Sequence, residues 1–221
     1  MKSGDRVKRR TYDSSRRKAQ AAETRAAIVR AACDLFVEQG YGHTTISDIA
    51  RAAGVSAETI YAAFGNKATL LHKSWDMTVG GDDEDVVFHE RPEVMAIRGE
   101  PDLAKRFMLH AAFSTRTAQR IAPFQLMVQS ASGADPAAAA MLEEMGRQRV
   151  AGMTVMASEA AKTGQLAVSE EECRDVVWSM TDGTLWHRLV NERGWTNEQF
   201  ADWLGRLWVQ MLVKPKRSTR R

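Results

Sequence analysis

The chain of 221 residues is 44% apolar and 27% charged, which provides enough apolar side chains for a packed core. It contains no apolar run of about 18 residues, so the sequence predicts no membrane-spanning helix and no membrane partner. Its two cysteines, Cys33 and Cys173, are far apart in helical patterns, which indicates buried, reduced thiols in a cytoplasmic protein rather than a redox pair.

The net charge of +3 is distributed unevenly along the chain. Residues 1–18 carry +6 and residues 214–221 carry +5, so residues 19–213 carry −8. We expect residues 1–18 to form a basic, disordered arm and residues 214–221 to form a solvated basic tail. Beside the motif that follows, the arm can reach phosphate or a minor groove. No apolar stretch follows the basic N-terminus, so no secretory signal is expected.

The first predicted helix runs from Thr24 to Gln39, with apolar residues at helical spacing and a glycine after it. Thr45 is then suited to cap a second helix, with Asp48 as its partner in a shortened capping box. Gly54 supplies the left-handed backbone that ends this helix. Two short helices bent around a glycine are typical of a helix-turn-helix, which places its second helix in the DNA major groove.

The second helix of this motif is predicted from Ala57 to Phe64. Ser56 is its N-cap, and Val55 is predicted to be a buried wedge between the two helices. Asn66 can cap a further helix that begins at Lys67. Because Lys67 lies just past the recognition helix, its cation is placed to contact phosphate.

The motif matches a known family in detail. The matching residues are Ile49-Ala50, Ala53-Gly54-Val55-Ser56, Tyr61, Phe64, Lys67 and Leu70. This pattern closely resembles the DNA-binding domain of TetR-family transcriptional regulators over about residues 20–75. Beyond those residues the resemblance is limited to overall length and an all-helical pattern.

The resemblance implies a set of DNA contacts, carried over one position at a time. Thr45 and Lys67 match phosphate contacts, and Tyr61 matches an aromatic that contacts phosphate or base. The residues that match the opening turn of the recognition helix are Ser56, Ala57, Glu58 and Thr59.

Two departures from the family pattern affect base recognition. Ala62 and Ala63 stand where many relatives carry larger aromatic or His side chains, so base contact there is limited to thymine methyl groups. Glu58 places an acid near phosphate, which lowers affinity unless it accepts a hydrogen bond from cytosine N4 or pairs with an arginine.

The remainder of the chain has helical periodicity and turn signals but no sustained alternation. A connecting helix is predicted at 67–79, an acidic surface loop at 80–85, and a helix from Leu103 that Pro123 breaks or restarts. A long helix follows at 137–163. The predicted fold class is therefore all-α.

The predicted organisation is a three-helix DNA-binding domain at 19–66 followed by a helical domain at 67–213. The resemblance implies that the second domain senses a ligand and dimerises, with residues 170–213 as dimer helices.

Two predicted helices near the C-terminus, 170–193 and 197 to about 213, carry broad apolar stripes. Such stripes can simply cover the core of their own domain. In TetR-like proteins the corresponding helices pair with a second subunit as a four-helix bundle, so we expect a homodimer that reads two half-sites. The predicted interface residues are Met180, Gly183, Trp186, His187, Phe200, Trp203, Leu204, Leu207 and Trp208.

Residues 76–169 form the implied sensor. The resemblance implies a small-molecule cavity there, for a largely apolar effector. Met suits adaptable apolar pockets, although a Met or Phe on a helical stripe is more often core. His110 and His187 can orient a polar ligand atom. The predicted lining is Met108, Phe113, Phe124, Met127, Met145, Met153, Met156 and Trp178.

The predicted function is a ligand-responsive transcriptional regulator, implied by the family to be a repressor that binds a palindromic operator as a dimer and is released by a small molecule. The alternative is a ligand-independent DNA-binding dimer whose large domain serves dimerisation or protein partners. A helical enzyme is not expected, because the sequence contains no metal-spaced His/Cys cluster, glycine-rich phosphate loop or nucleophile elbow. Neither a cofactor nor a metal site is predicted.

Overall fold

The computed structural model describes residues 4–80 and 92–215, with side chains from residue 16 onward. The chain divides into two compact units, residues 1–77 and residues 78–221. The described residues are helical apart from turns, loops and one isolated antiparallel bridge between Leu166 and Val213, so the predicted all-α class is confirmed. Within the described part of the chain, no helix is both long and apolar enough to cross a membrane.

The first unit is built from four helices around one small core. The helices are α1 (Gly4–Gln39), α2 (Ile46–Ala53), α3 (Ala57–Phe64) and α4 (Lys67–Gly80), of which α4 continues past the end of the unit at residue 77. Each helix contributes fully buried apolar side chains, because its apolar residues recur at helical spacing. The largest of these buried side chains are Phe36, Ile28, Ile49, Ile60, Leu70 and Leu71.

The N-terminal segment differs from its prediction. Residues 1–18 are predicted to be a disordered arm, but the backbone is helical from Gly4 and continues without a break to Gln39. The segment between Gly4 and Gly40 contains no glycine or proline, and it is rich in Ala, Arg, Lys, Glu and Gln, which have high helix propensity. Local propensity therefore extends the helix through a segment whose charge alone indicates solvation.

The second unit is a larger helical assembly in which α6 lies between α7 and α10. Its core contains aromatic side chains from α6 and α10, such as Phe107 and Trp208, whose ring centroids are 6.2 Å apart. The helices are α5 (Pro92–Gly99), α6 (Leu103–Ser132), α7 (Pro136–Ala161), α8 (Glu170–Ser179), α9 (Thr184–Trp186), which continues as a π-helical segment (His187–Glu192), and α10 (Asn197–Leu212).

Helix α6 does not break at Pro123, so the predicted interruption is wrong. Proline in a helix interior removes one backbone hydrogen bond and costs about 3 kcal/mol. The flanking residues Ala122 and Phe124 are buried, at 0% and 1% exposure, and full burial of one large apolar side chain contributes about 1.5–3 kcal/mol. Packing on both sides of the proline thus offsets its local cost.

The predicted helix at 170–193 is divided in the structure. Helix α8 ends at Ser179, and the chain turns through Gly183, which has a φ of +81°. A β-carbon at this glycine would lie 3.1 Å from Cβ and 3.2 Å from Cα of Ala122. The turn therefore needs glycine for its left-handed backbone and for its close approach to α6.

The other predicted boundaries are close to the observed ones. Asp102 is the N-cap of α6, and Thr196 is the N-cap of α10. Residues 81–85 of the predicted acidic loop and residues 216–221 of the predicted basic tail lie outside the described residues.

Candidate nucleic-acid interface

The start of α2 is held by a reciprocal capping box. The backbone N–H of Asp48 donates to the Thr45 hydroxyl at 3.2 Å, and the Thr45 N–H donates to the Asp48 carboxylate at 3.2 Å. The carboxylate also pairs with Arg51. Hydrogen bonding from Thr45 lowers the pKa of Asp48, with a smaller contribution from Arg51. The predicted cap is confirmed, and it leaves Thr45 exposed at the first helix of the motif.

The turn between α2 and α3 follows the predicted backbone. Gly54 has a φ of +67°, and the N–H of Val55 donates to the Ala50 carbonyl at 3.0 Å. The Ser56 hydroxyl accepts from the Thr59 N–H at 3.2 Å and so caps α3. Val55 is half-buried rather than the buried wedge of the prediction.

Helix α3 has one buried face and one exposed face. Ile60 and Phe64 are 1% and 6% exposed and anchor the helix, whereas Tyr61 is 54% exposed. Glu58 and Thr59 are also exposed. The exposed face carries hydroxyl groups, a carboxylate and a phenol, which are groups that contact phosphates and base edges in DNA complexes. Of the other predicted contacts, Ser56 is exposed and Ala57 is half-buried.

Glu58 is fixed at the first turn of α3. Hydrogen bonds from its own backbone N–H and from the Ser56 hydroxyl hold its pKa below the ordinary value. The carboxylate is therefore ionised near neutral pH. It complements the positive N-terminal end of the helix dipole, and it reduces the positive potential that attracts phosphate.

Lys67 lies next to the motif, and its ammonium is hydrogen-bonded within the first unit. Its ammonium donates to the carbonyls of Tyr41 and Thr44, at 2.8 and 3.1 Å, and lies 4.1 Å from the centroid of the Tyr41 ring. A lysine ammonium has three N–H donors, so one remains for a phosphate oxygen. The phosphate contact stays a prediction, and the structure adds a role in joining α4 to the loop after α1.

Arg25 also contacts the recognition helix, which sequence reasoning missed. Its guanidinium donates to the Ala63 carbonyl at 2.8 Å and lies 4.5 Å from the centroid of the Phe64 ring. The C-terminal carbonyls of a helix have no partner within the helix, so an arginine here supplies a missing donor. No local pattern marks Arg25, because its partner lies 38 residues further along the chain.

The second unit contains a cavity of about 530 Å³ formed by α5, α6 and α7. Phe113, Met153 and Met156 of the predicted lining are among its walls. The full lining is Val94, Ile97, Arg98, Arg106, Phe107, His110, Phe113, Gln148, Ala151, Gly152, Met153, Val155, Met156 and Glu159.

The other predicted lining residues lie outside this cavity. Phe124, Met127 and Met145 are 1%, 8% and 2% exposed and pack in the second unit's interior. Met108 lies against Gly205 on α10, and Trp178 stacks on the Arg149 guanidinium. The prediction selected apolar residues at helical spacing, and this pattern does not distinguish packed side chains from those that border a cavity. It therefore omitted Arg98, Arg106 and Glu159.

Burial within one chain separates the predicted dimer-interface residues into two groups. A residue that is buried in its own chain offers little surface to a partner. The predicted interface residues that are buried in the chain itself are Gly183, Trp186, Phe200, Leu204 and Trp208. Those that keep accessible surface are Met180, His187, Trp203 and Leu207.

Among the described residues, no group of three or more His, Cys, Asp and Glu side chains is arranged to hold a metal ion.

Comparison with known proteins gives the same assignment as the motif. Residues 28–73 match the family model for bacterial regulatory proteins of the tetR family. The HTH-type transcriptional regulator TtgR of Pseudomonas putida is 46% identical over 61 residues, which are 28% of this chain and 29% of TtgR. The HTH-type transcriptional regulator AcrR of Shigella flexneri is 31% identical over 104 residues, which are 47% of this chain and 46% of AcrR. The chain thus matches less than half the length of these two curated relatives.

Similarity in fold extends further along the chain. The structure of NalD, the secondary repressor of the MexAB-OprM multidrug efflux pump in Pseudomonas aeruginosa, superposes with a TM-score of 0.62. The alignment covers 87% of this chain and 97% of NalD at 18% identity, so it is evidence for the fold alone. The relatives are named regulators rather than enzymes, in agreement with the sequence-based expectation. The helix-turn-helix region of the chain, within residues 28–73, is therefore similar to that of the tetR family of bacterial regulatory proteins.

Proposed function

We propose that this protein is a DNA-binding transcriptional regulator that places α3 in the major groove. The observation that carries the proposal is the exposed polar face of α3, presented on a helix whose start is capped by Ser56 and whose opposite face is anchored by Ile60 and Phe64. An α-helix held in this way by a preceding helix fits the major groove. The proposed contacts are Thr45, Ser56, Ala57, Glu58, Thr59, Tyr61 and Lys67.

The regulator acts as a dimer on a palindromic site. One recognition helix reads only a few base pairs, and a two-fold symmetric protein binds two half-sites about one helical turn apart. The surface that supports dimerisation is the exposed edge of the apolar stripe on α10, where Trp203 and Leu207 are half-buried and Met211 is 43% exposed.

Repression with release by a small molecule is the proposed mode of action. NalD is described as a repressor, and the cavity between α5, α6 and α7 falls within the size range of small-molecule sites, about 300–1,000 Å³. If a ligand binds the form that cannot bind DNA about 100-fold more tightly than it binds the DNA-binding form, the coupling free energy is roughly 2.7 kcal/mol. This is a usual value for allostery. The cavity favours this function over a dimer that binds no ligand.

The proposal is tested by selecting bound sequences from a random DNA library with the full chain and then measuring stoichiometry on the selected site. The expected result is an enriched palindrome bound by one or two dimers. The absence of any enriched sequence would contradict the proposal, because a protein that binds only phosphates selects no site. Tyr61→Ala in the same selection should lose enrichment while the protein remains folded, since its side chain is exposed.

A further inference from the structure

The cavity in the second unit has an apolar body. The rings of Phe107 and Phe113 and the side chains of Met153 and Met156 form much of its wall, between α6 and α7. Methionine adapts its shape to an apolar ligand, and aromatic rings supply large contact areas. This part of the cavity fits an alkyl or aryl group and provides few hydrogen-bonding partners.

Charged side chains lie at one end of the cavity. Arg98 from α5, Arg106 from α6 and Glu159 from α7 are the charged residues in the described lining. Lys162 donates to the Glu159 carboxylate at 2.8 Å. Interaction with Lys162, and more weakly with Arg98, holds the pKa of Glu159 below its ordinary value. The carboxylate is therefore ionised, and it pairs with the cations of Lys162 and Arg98.

Both arginines retain capacity for a ligand. The guanidinium of Arg98 is 3.5 Å from the Glu159 carboxylate, which is longer than a charge-assisted hydrogen bond of about 2.7–2.9 Å. Arg106 donates to the carbonyl of Glu100 from two nitrogens, at 2.8 and 2.6 Å, and to the carbonyl of Glu159 at 3.2 Å. A guanidinium has five N–H donors, so two of those on Arg106 are available.

The histidine of the cavity lining, His110, adds no charge. His110 lies beside the rings of Phe113 and Trp208, and its Nε2 is buried without a hydrogen-bond partner among the described residues. Burial lowers the pKa of His110 to about 4, so the imidazole is neutral at neutral pH. The excess positive charge of the cavity therefore comes from the two arginines, and it opposes a cationic ligand.

We propose that this cavity binds an amphipathic carboxylate, with the apolar chain against Phe113 and Met156 and the carboxylate on Arg98 and Arg106. An arginine fork matches a carboxylate in both charge and geometry. The inference rests on the proposed ligand response and names the chemical class of its effector.

Isothermal titration of the full chain with three compounds that share one alkyl chain tests the ligand class. The probes are decanoate, decan-1-ol and decyltrimethylammonium. Decanoate should bind about tenfold more tightly than decan-1-ol, equivalent to about 1.4 kcal/mol, and the cation should bind most weakly. Equal affinities for decanoate and the alcohol, or tightest binding of the cation, would overturn the inference.

Two variants locate the carboxylate. In Arg98→Gln, the affinity for decanoate should fall to that for decan-1-ol, while binding of the alcohol is unchanged. In the control Arg147→Gln, which removes an exposed arginine paired with Glu144 on α7, both affinities should stay at wild-type values. An undiminished preference for decanoate in Arg98→Gln would contradict the assignment.

A measurement on the unaltered chain makes the test independent of how the variants fold. Raising the salt concentration should weaken decanoate binding and leave decan-1-ol binding largely unchanged, because only the binding of decanoate depends on charge.

Measuring release of the protein from the selected DNA site then separates the ligand-response proposal from the cavity inference. Decanoate that binds the protein without releasing DNA leaves the cavity inference standing and contradicts the ligand response. Release of DNA by the alcohol alone or the cation alone supports the ligand response and contradicts the cavity inference.

Discussion

At the scale of single residues, two cations in the first unit bind backbone carbonyls rather than acidic side chains. Arg25 donates to the last turn of α3, and Lys67 donates to the loop that follows α1. A cation near a helix C-terminus satisfies carbonyls that have no partner in the helix and complements the helix dipole. Arg25 therefore holds the recognition helix in position without needing to touch DNA.

Arg25→Gln should lower DNA affinity without changing its dependence on salt. Loss of the hydrogen bond to the Ala63 carbonyl should reduce the free energy of unfolding by about 1 kcal/mol, measured by urea denaturation. DNA affinity, measured at several salt concentrations on the selected site, should fall by a similar factor at each. If the salt slope instead decreases by about 0.9, Arg25 contacts a phosphate and the positioning role is wrong.

His110 should make the stability of the protein sensitive to mild acid. Its pKa is about 4 in the folded protein and 6.5 in the unfolded chain, so only the unfolded chain takes up a proton between these values. Stability is then lost as the pH falls from about 6.5 towards 4, by up to about 1.4 kcal/mol per pH unit. Urea midpoints at pH 7 and pH 5 measure this loss. The urea midpoint of His110→Phe should decrease less between pH 7 and pH 5. An equal decrease in both proteins would contradict the role of His110 in this pH dependence.

At the scale of secondary-structure elements, tertiary contacts override local signals in the second unit. Helix α6 continues through Pro123, whereas the predicted helix at 170–193 divides at Gly183. In the first case, buried residues on both sides of the proline stabilise the helix. In the second, the positive φ of Gly183 and the close approach of Ala122 on α6 favour glycine over any larger residue.

Gly183→Ala should destabilise the protein by about 1–3 kcal/mol, because a non-glycine residue at positive φ is strained and the new methyl group would meet Ala122. Gly133→Ala is the matched control. Gly133 has a φ of −70°, and a β-carbon there meets no atom within 4 Å. Thermal denaturation should show a lower Tm for the first variant only. Equal Tm values for both variants would contradict the close packing at Gly183.

The N-terminal part of α1 provides a test of the predicted DNA-contacting arm. Arg16, Arg17 and Lys18 are exposed on this helix. Deletion of residues 1–18 should reduce the salt dependence of DNA binding by about 0.9 for each lost phosphate contact, with the same selected site. An unchanged slope would show that these residues are solvated and do not bind DNA.

At the scale of the whole molecule, assembly depends on which side of α10 remains uncovered. Phe200, Leu204 and Trp208 are at most 1% exposed and face the core of their own unit. Trp203 and Leu207 lie at the edge of the same apolar stripe and keep accessible surface. Most of the apolar stripe therefore packs within its own unit, and only its edge is available for dimerisation.

Leu207→Glu should convert the proposed dimer into a folded monomer. A charge at the centre of an apolar interface opposes association, because its burial without a partner is unfavourable. Val150→Glu, on the exposed face of α7, should leave the mass unchanged. Light scattering at micromolar concentration distinguishes these results, with circular dichroism to verify helicity. A dimer that persists in Leu207→Glu would exclude this edge of α10 as the interface.

Much of the first unit is predictable from the sequence, because its signals are local. Thr45 and Ser56 cap helices through neighbours three residues away, and the glycine between them ends a helix by its own backbone. The buried and exposed residues of α3 follow from helical spacing. These signals lie within a few residues of where they act, so they identify the helix-turn-helix and its exposed face without a structure.

The second unit depends on contacts between residues distant in sequence. Periodicity shows which side of α10 is apolar, but only the packing of other helices against it determines that Trp208 is core and that Leu207 is half-buried at an edge. The charged end of the cavity joins Arg98, Arg106 and Glu159 from three helices. The sequence by itself determined the helices and the DNA-binding motif, because caps and periodicity act locally. Only the tertiary structure decided the cavity and the accessible surface, because burial depends on which elements pack together.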